Sequence, residues 1–256
     1  MNKTIETNTK VRAIGDVHGG FEMFEHYVKE AVEKDMHVLQ LGDLEDRGPE
    51  PAKCIKLMMD LADEGKATVV MSNHGWKHYR YFLGRAVSER EEHKKTRINI
   101  RSMGDDFVMR YMNFMEDVPW YVTYGNNFFA HASYHKLVHI DDRTNKQTKG
   151  LRERLIYGMT TGKKGENGLP ERLLDWFDHI PEDMNVFVGH HILSMDRILR
   201  FQTTGGTATF VDLGHQTRED GQLAYVDFDN GEVSASSHDF EMVNDPRGYG
   251  MYHVEE

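Results

Sequence analysis

Short apolar runs that stop abruptly at polar residues recur along this chain, in VRAIGDVHGG (11–20), VLQLGDLEDRG (38–48), TVVMSNHG (68–75), FFAHAS (128–133) and VFVGHH (186–191). Runs this short, rich in β-branched and aromatic residues, predict buried strands over 11–17, 36–42, 67–72, 127–131 and 185–190. Further strands are predicted over 120–124, 197–203, 207–213 and 223–228, and Asn230-Gly231 between VDF and EVSAS predicts a hairpin. Helical spacing places Phe21, Phe24, Val28, Ala31 and Val32 on one face of a helix over 21–34, and a second helix spans 50–64. From Trp76 to Glu116 the chain is strongly charged and helical, with an apolar stripe only in DDFVMRYMNFMEDV (105–118), which predicts a charged cap over 76–118. A helix over 170–180 starts at Pro170. The polar tail from about His238 is expected to be loosely ordered. Together these elements predict an α/β (α+β) architecture, two β-sheets facing each other with helices outside.

Composition narrows the classes. The candidate ligands run from Asp16 to His190, so 256 residues read as one domain over 1–256, with a core over about 11–235. A chain of this size buries roughly 70 to 75% of its unfolded surface and needs no disulfide. Its single cysteine, Cys54, lies at helical spacing among Ile55, Met58, Met59 and Ala62 and reads as a core residue. The sequence MNKTIETNTK and the lack of any spanning apolar run predict a cytoplasmic protein with no membrane partner. A net charge of -11 speaks against extended DNA binding, but not against a short phosphate end.

The polar residues that end the strands carry the chemistry. Hydrolysing a phosphate ester near neutral pH needs a deprotonated water, neutralised phosphoryl oxygens and a proton for the leaving group; two metals about 3.5 to 4 Å apart supply the first two. Asp16 and His18 suit one metal, Asn73, His131 and His190 the other, and Asp43 can bridge them. Mixed carboxylate, imidazole and carboxamide donors favour Mn²⁺, Fe²⁺ or Zn²⁺ over magnesium or copper, with Mn²⁺ first. In GDLEDRG, Arg47 offers a planar fork for phosphoryl oxygens, and Asp46 can orient His74 as the general acid. Taken singly, GDVHG is an ordinary strand-to-loop turn, Asp46-Arg47 a loop salt bridge and each histidine a core residue; one hypothesis explains all of them and their order.

The ordered set GDVHG, GDLEDRG, SNHG, a histidine after an aromatic strand and a later GHH resembles the phosphoprotein-phosphatase branch of the calcineurin-like metallophosphoesterases, over about residues 11–214. The resemblance implies a four-layer αββα sandwich with two mixed sheets, and a dinuclear metal site. Within that branch, LRERLIYGMTTGKKGENGLPERLLDWF (151–177) resembles the phosphatase domain of bacterial polynucleotide kinase-phosphatase, and FVDLG (210–214) its closing motif, so Asp212 is implied as an acid at the site edge. Such domains hydrolyse phosphomonoesters and 2′,3′-cyclic phosphates at RNA ends with Mn²⁺ or Ni²⁺, which implies nucleotide or nucleic-acid ends as substrate. The rival readings are a serine/threonine protein phosphatase, a symmetrical dinucleoside tetraphosphate hydrolase and a non-catalytic phosphate-end binding module. Arg152, Lys163 and Lys164 are further candidates for substrate contact, as is a basic lid formed by Arg85, Arg90, Lys94, Lys95, Arg97 and Arg101. His191 and His215 are placed at the rim, and His26, His37, His139 and His238 on the surface.

Two positions depart from the family pattern, which has Gly before Asn-His and Glu or Asp after it. Here Ser72 and Gly75 flank Asn73-His74. With Asp46 left to pair with His74, a changed rate rather than a dead site is expected. No kinase P-loop is present.

Overall fold

A computed structural model of the chain describes residues 2–138, 148–164, 170–244 and 251–252. Its elements in chain order are β1 (Lys3–Ile5), β2 (Val11–Ile14), α1 (Phe21–Glu33), β3 (His37–Gln40), α2 (Pro51–Asp63), β4 (Ala67–Val69), α3 (Asn73–Phe82), α4 (Glu91–Ser102), α5 (Asp105–Asp117), β5 (Tyr121–Tyr124), β6 (Asn127–Ala130), α6 (Lys149–Tyr157), β7 (Met159–Lys164), β8 (Pro170–Leu173), β9 (Asn185–Val188), β10 (Ile198–Gln202), β11 (Thr207–Phe210), β12 (Tyr225–Asp229), β13 (Glu232–Ser236), β14 (Phe240–Val243) and β15 (Met251–Tyr252).

The strands form a seven-stranded mixed sheet, β1-β5-β6-β9-β11-β10-β14, and a five-stranded one, β13-β12-β2-β3-β4. Period-two alternation explains how both faces are used. Val11 and Ala13 of β2, Phe129 of β6, Phe187 of β9 and Phe228 of β12 meet in one buried cluster between the sheets. Ile14 and Val38 turn outward beneath Phe24, Val28 and Ala31 of α1 and the buried face of α2, whereas Phe128, Val186 and Val188 turn outward with Leu151 and Leu155 of α6. This is the expected arrangement of helix, sheet, sheet and helix. Arg12, fully buried on the outer face of β2, is held by a two-pronged bond to Asp227 (2.7 and 2.8 Å) and lies 3.7 Å over the Tyr225 ring.

Four regions differ from the sequence reading. Lys3–Ile5 pairs with β5 in parallel, an edge strand too short to show periodicity. The segment expected as a helix over 170–180 is strand β8 followed by a 3₁₀ turn over Asp175–His179, because Arg172 and Leu173 pair with Thr160 and Met159 of β7, and this forms a small third sheet with β15. The charged cap is no separate lid: Ile100, Phe107, Tyr111 and Met115 of α4 and α5 join the larger core, and both helices pack on α2. Within the tail expected to be loose, Phe240–Val243 form β14, which pairs with β10, and Met251–Tyr252 pair with β8. The Asn230-Gly231 hairpin forms as predicted, with φ +50° and +84° joining β12 to β13. His139 lies outside the described residues. Among the described residues no helix is long and apolar enough to cross a membrane.

Candidate metal centre

Strands β2, β3 and β4 run parallel in one sheet and β6, β9 and β11 in the other, so the carboxyl ends of six strands open onto one rim. Asp16, Asp43 and Asn73 follow the first three; His131, His190 and Asp212 follow the others. Ligand sites gather at such edges because the backbone there is released from the ladder while still fixed by it. The close approach demands glycine at two points. A Cβ on Gly42 (φ +100°) would meet Ser72 Cβ at 2.5 Å, and one on Gly189 would meet Asp16 Oδ1 at 2.1 Å.

Asp43 is the centre. Its Oδ2 lies 3.5 Å from His131 Nε2, 3.6 Å from His18 Nε2 and 3.9 Å from His74 Nε2. Two ligand groups share it, Asp16–His18–Asp43 and Asp43–His131–His190, each with its donor atoms within 4.8 Å of one another. Asn73 Oδ1 is 2.8 Å from His131 Nε2. The tautomers are set from behind: His18 Nδ1 faces the Glu45 carbonyl and His131 Nδ1 the Leu41 carbonyl, both at 2.9 Å. Each Nδ1 therefore donates and leaves the Nε2 lone pair toward the rim. All six predicted ligands converge.

Electrostatics agree. Asp16, Asp43 and Asp212 are almost completely buried, and among the described residues no lysine or arginine pairs with any of them. Burial, then Asp212 and Asp43, raises the Asp16 carboxyl well above its usual range, and burial pushes Asp212 up to about 6. Burial also acts against the Asp43 anion, but the imidazoles of His131, His74 and His18 bring it well below that range. Burial pushes the His18 imidazole down to about 3. The buried carboxylates and the Nε2 lone pairs of His18 and His131 turn toward the same space, and divalent metal ions fit this donor set.

Behind the ligands lies the proposed proton donor. His74 Nδ1 bonds to Asp46 Oδ2. Burial lowers the His74 pKa, but Asp43 and Asp46 outweigh it and raise it overall. His78 Nε2, one turn along α3, is 2.8 Å from Asp46 Oδ1, and His93 Nε2 is 3.8 Å from Asp46 Oδ2. The i, i+4 spacing of His74 and His78 was the available signal for His78. Glu45 is buried against Tyr111, whose hydroxyl donates to Oε1 at 3.0 Å, and burial pushes its carboxyl up to about 8.

The arginines are redistributed. Arg47 is exposed on the loop, with φ +64° and no ion pair to the described residues. Arg152 packs 5.2 Å from the Trp120 ring centre and, among the described residues, forms no ion pair with the candidate ligands. Arg172 on β8 reaches the rim instead: Nη2 is 3.2 Å from His190 Nε2 and Nη1 donates to the Tyr157 carbonyl at 2.5 Å. Nothing in the sequence around Arg172 separates it from its neighbours, because only the β7–β8 pairing carries it to the rim. Lys163 and Lys164 are exposed on β7. The basic lid does not form as such, since Arg97 pairs with Glu89 and lies over Tyr81, and Lys94 pairs with Glu91. His191 is buried beside His190, their ring centres 4.8 Å apart. His215 lies beside Gly20, and His37, expected on the surface, is half-buried against Thr68.

A fold and rim of this kind define a phosphoesterase with a two-metal centre. Residues 9–220 match the family model for calcineurin-like phosphoesterases, and the chain belongs to that family. It is a hydrolase acting on phosphoric ester bonds, of a family with a dinuclear divalent metal centre. The chain is 31% identical over 200 residues, 69% of its own length and 76% of the relative's, to an asymmetrical bis(5′-nucleosyl)-tetraphosphatase PrpE of Anoxybacillus flavithermus. A solved structure provisionally identified as a diadenosine tetraphosphatase superposes with a TM-score of 0.60 at 18% identity, over 92% of this chain and 96% of that one. A protein serine/threonine phosphatase of Saccharomyces cerevisiae superposes with a TM-score of 0.55 at 15% identity, over 88% and 76%. These two likenesses are of fold.

Proposed function

We propose that this chain is a two-metal phosphohydrolase of nucleotides that opens a dinucleoside polyphosphate by in-line attack of water on phosphorus. The observation that carries the reading is the single Asp43 oxygen 3.5 to 3.9 Å from the Nε2 atoms of His131, His18 and His74. In this reading it would set His74, as proton donor, against the carboxylate common to both candidate metal groups. The substrate class follows the asymmetrical tetraphosphatase relatives.

Asp16, His18 and Asp43 would hold one divalent ion, and Asn73, His131, His190 and Asp43 the other. Mn²⁺ is the first choice on donor chemistry, before Ni²⁺, Fe²⁺ or Zn²⁺. Such ions supply an acidified water and positive charge against the phosphoryl oxygens. The protein does the rest. Arg172, with no carboxylate partner among the described residues, offers its fork to a phosphoryl oxygen beside His190, and Arg47 offers a second from the opposite loop. The bond between Asp46 and His74 Nδ1 fixes the imidazole, so that when protonated its Nε2 proton can pass to the departing oxygen. Asp212 braces Asp16 while its own Oδ1 accepts from Gly214 N at 2.9 Å.

A second reading, hydrolysis of phosphomonoesters and 2′,3′-cyclic phosphates at RNA ends, draws on residues 151–177, since the β7–β8 pair in that stretch delivers Arg172 to the rim. Product analysis with Mn²⁺-loaded protein separates the two. The first predicts a nucleoside triphosphate and a monophosphate from diadenosine tetraphosphate, abolished in Asp43→Ala. Two diphosphates would indicate symmetrical cleavage, and turnover of cyclic or 3′-phosphates alone the second reading. Turnover of phosphopeptides alone would indicate a protein phosphatase. Tight binding without turnover of any ester by fully metallated protein would overturn the enzymatic role proposed for the site.

A further inference from the structure

Gly75 has no backbone reason to be glycine. It sits in the first turn of α3 with ordinary helical geometry, absent from the left-handed glycines of the chain. Glycine at such a position costs about 1 kcal/mol relative to alanine. The space its side chain would enter is already taken: a Cβ there would lie 3.0 Å from Met115 Cε, 3.2 Å from Ser72 Oγ and 3.3 Å from Glu45 Oε1. Among the three atoms nearest to that position is therefore an oxygen of a buried carboxyl arriving from the loop after β3. A second carboxyl at position 75 would set two acids together out of water, which is strongly unfavourable.

Glu45 is also well tied. Its Oε1 accepts from the hydroxyl of Tyr111, fully buried on α5, and its backbone carbonyl accepts from His18 Nδ1. The loop it belongs to is strained, with Asp43, Asp46 and Arg47 all at φ between +57° and +67°. Residues other than glycine persist there only when their surroundings over-determine them. The helix end has been provided for as well, since Ser72 Oγ accepts from Gly75 N at 3.1 Å.

We propose that Glu45 supplies, from the β3–α2 loop, the acid that the family pattern carries at the position of Gly75, and that it is a positioning residue locking the Asp43–Arg47 loop against α3 and α5. The exchange is spatial: one buried carboxyl, delivered from the other side of the same small volume. Its effect on His74 rests on the function proposed above; the exchange itself does not.

The test is a cycle of Glu45→Ala, Gly75→Glu and the double variant, with Glu45→Gln as the conservative control. Thermal unfolding is followed in chelator, so that metal loading plays no part. Glu45→Ala should lower Tm by about 4 °C or more, and Gly75→Glu should also lower it, for lack of room. The double variant should melt above Glu45→Ala, because the carboxyl is restored from the α3 side. A double variant that melts below Glu45→Ala, or does not fold, overturns the exchange. Glu45→Gln, which keeps the Tyr111 bond, should stay within about 2 °C of the wild type.

The second readout is the rate on an alkyl phosphomonoester relative to p-nitrophenyl phosphate. Glu45→Ala should lower kcat on the alkyl ester about tenfold more than on the aryl ester, with KM little changed and the loss reduced in the double variant. Equal losses on both esters overturn the positioning of His74. Should the wild type hydrolyse no phosphoester while the Tm coupling persists, the functional reading falls and the exchange stands.

Discussion

The two sheets contribute to the same rim in different ways. The five-stranded sheet delivers Asp16, His18, Asp43 and Asn73 together with the Asp46–His74 pair, largely through loops, and His18, Asp43, Asp46 and Arg47 there lie at positive φ. The seven-stranded sheet delivers His131, His190 and Asp212 within one or two residues of the ends of strands that are paired on both sides, with His190 alone of the three at positive φ (+64°). One half of the site is therefore held by packing of α3, α4 and α5 onto strained loops, the other by the ladder itself. A two-metal site needs rigidity from both, but only the loop half has the freedom to place a proton donor and an exposed arginine around a substrate.

The widest break in this comparison comes from the ligand the halves share. Asp43→Ala should remove metal-dependent hydrolysis by more than about a hundredfold, since losing even a group behind a ligand costs about 10- to 100-fold. Metal content after dialysis, measured by elemental analysis, should fall below that of His190→Ala, which strips one group only.

His74→Ala tests the loop half alone. Rates on alkyl phosphomonoesters should fall about a hundredfold or more, whereas p-nitrophenyl phosphate, whose leaving oxygen hardly needs a proton, should lose under about tenfold. Equal losses would mean that His74 is not the acid.

The strand half is probed through the small third sheet. Arg172→Ala should raise KM by about 10- to 100-fold, the size of a lost hydrogen bond to a charged group, and Arg152→Ala should change it by less than about threefold. Steady-state kinetics on one substrate decides between them, and the reverse order would return Arg152 to the role the sequence suggested.

The smallest effect lies far from the rim and is one of stability. Burial, with Lys3 nearby, pushes the half-buried His37 down to about 4, against roughly 6.5 in an unfolded chain. The unfolded form then binds the extra proton between these values, so this histidine's contribution is intact above about pH 6.5 and is lost as pH falls toward 4. His37→Gln should flatten the decline in urea midpoint between pH 7 and pH 4.5, with the two midpoints unchanged relative to one another at pH 7.5.

Much of the fold was legible because burial writes itself into composition: the runs before Asp16, Asp43 and Asn73 are strands buried on both faces, and Phe24, Val28 and Ala31 show a helical stripe. The helix expected over 170–180 failed for the converse reason. Its apolar residues fit either period, and pairing with β7, a contact between distant residues, chose the strand. The cap was misjudged because α4 presents few apolar residues, yet it is carried into the core by its neighbours α2 and α5.

The sequence by itself singled out the six candidate ligands that the fold brings together, because each of these side chains stands just beyond the end of a rigid strand and so carries a local signature. It also determined that Asp46 and His74 were available as a pair. Only the tertiary structure decided which arginine reaches the rim, how His78 and His93 gather on Asp46, and that the Glu45 carboxyl lies beside Gly75. Those three depend on side chains from separate elements sharing one small volume, and no spacing along the chain records a meeting in space.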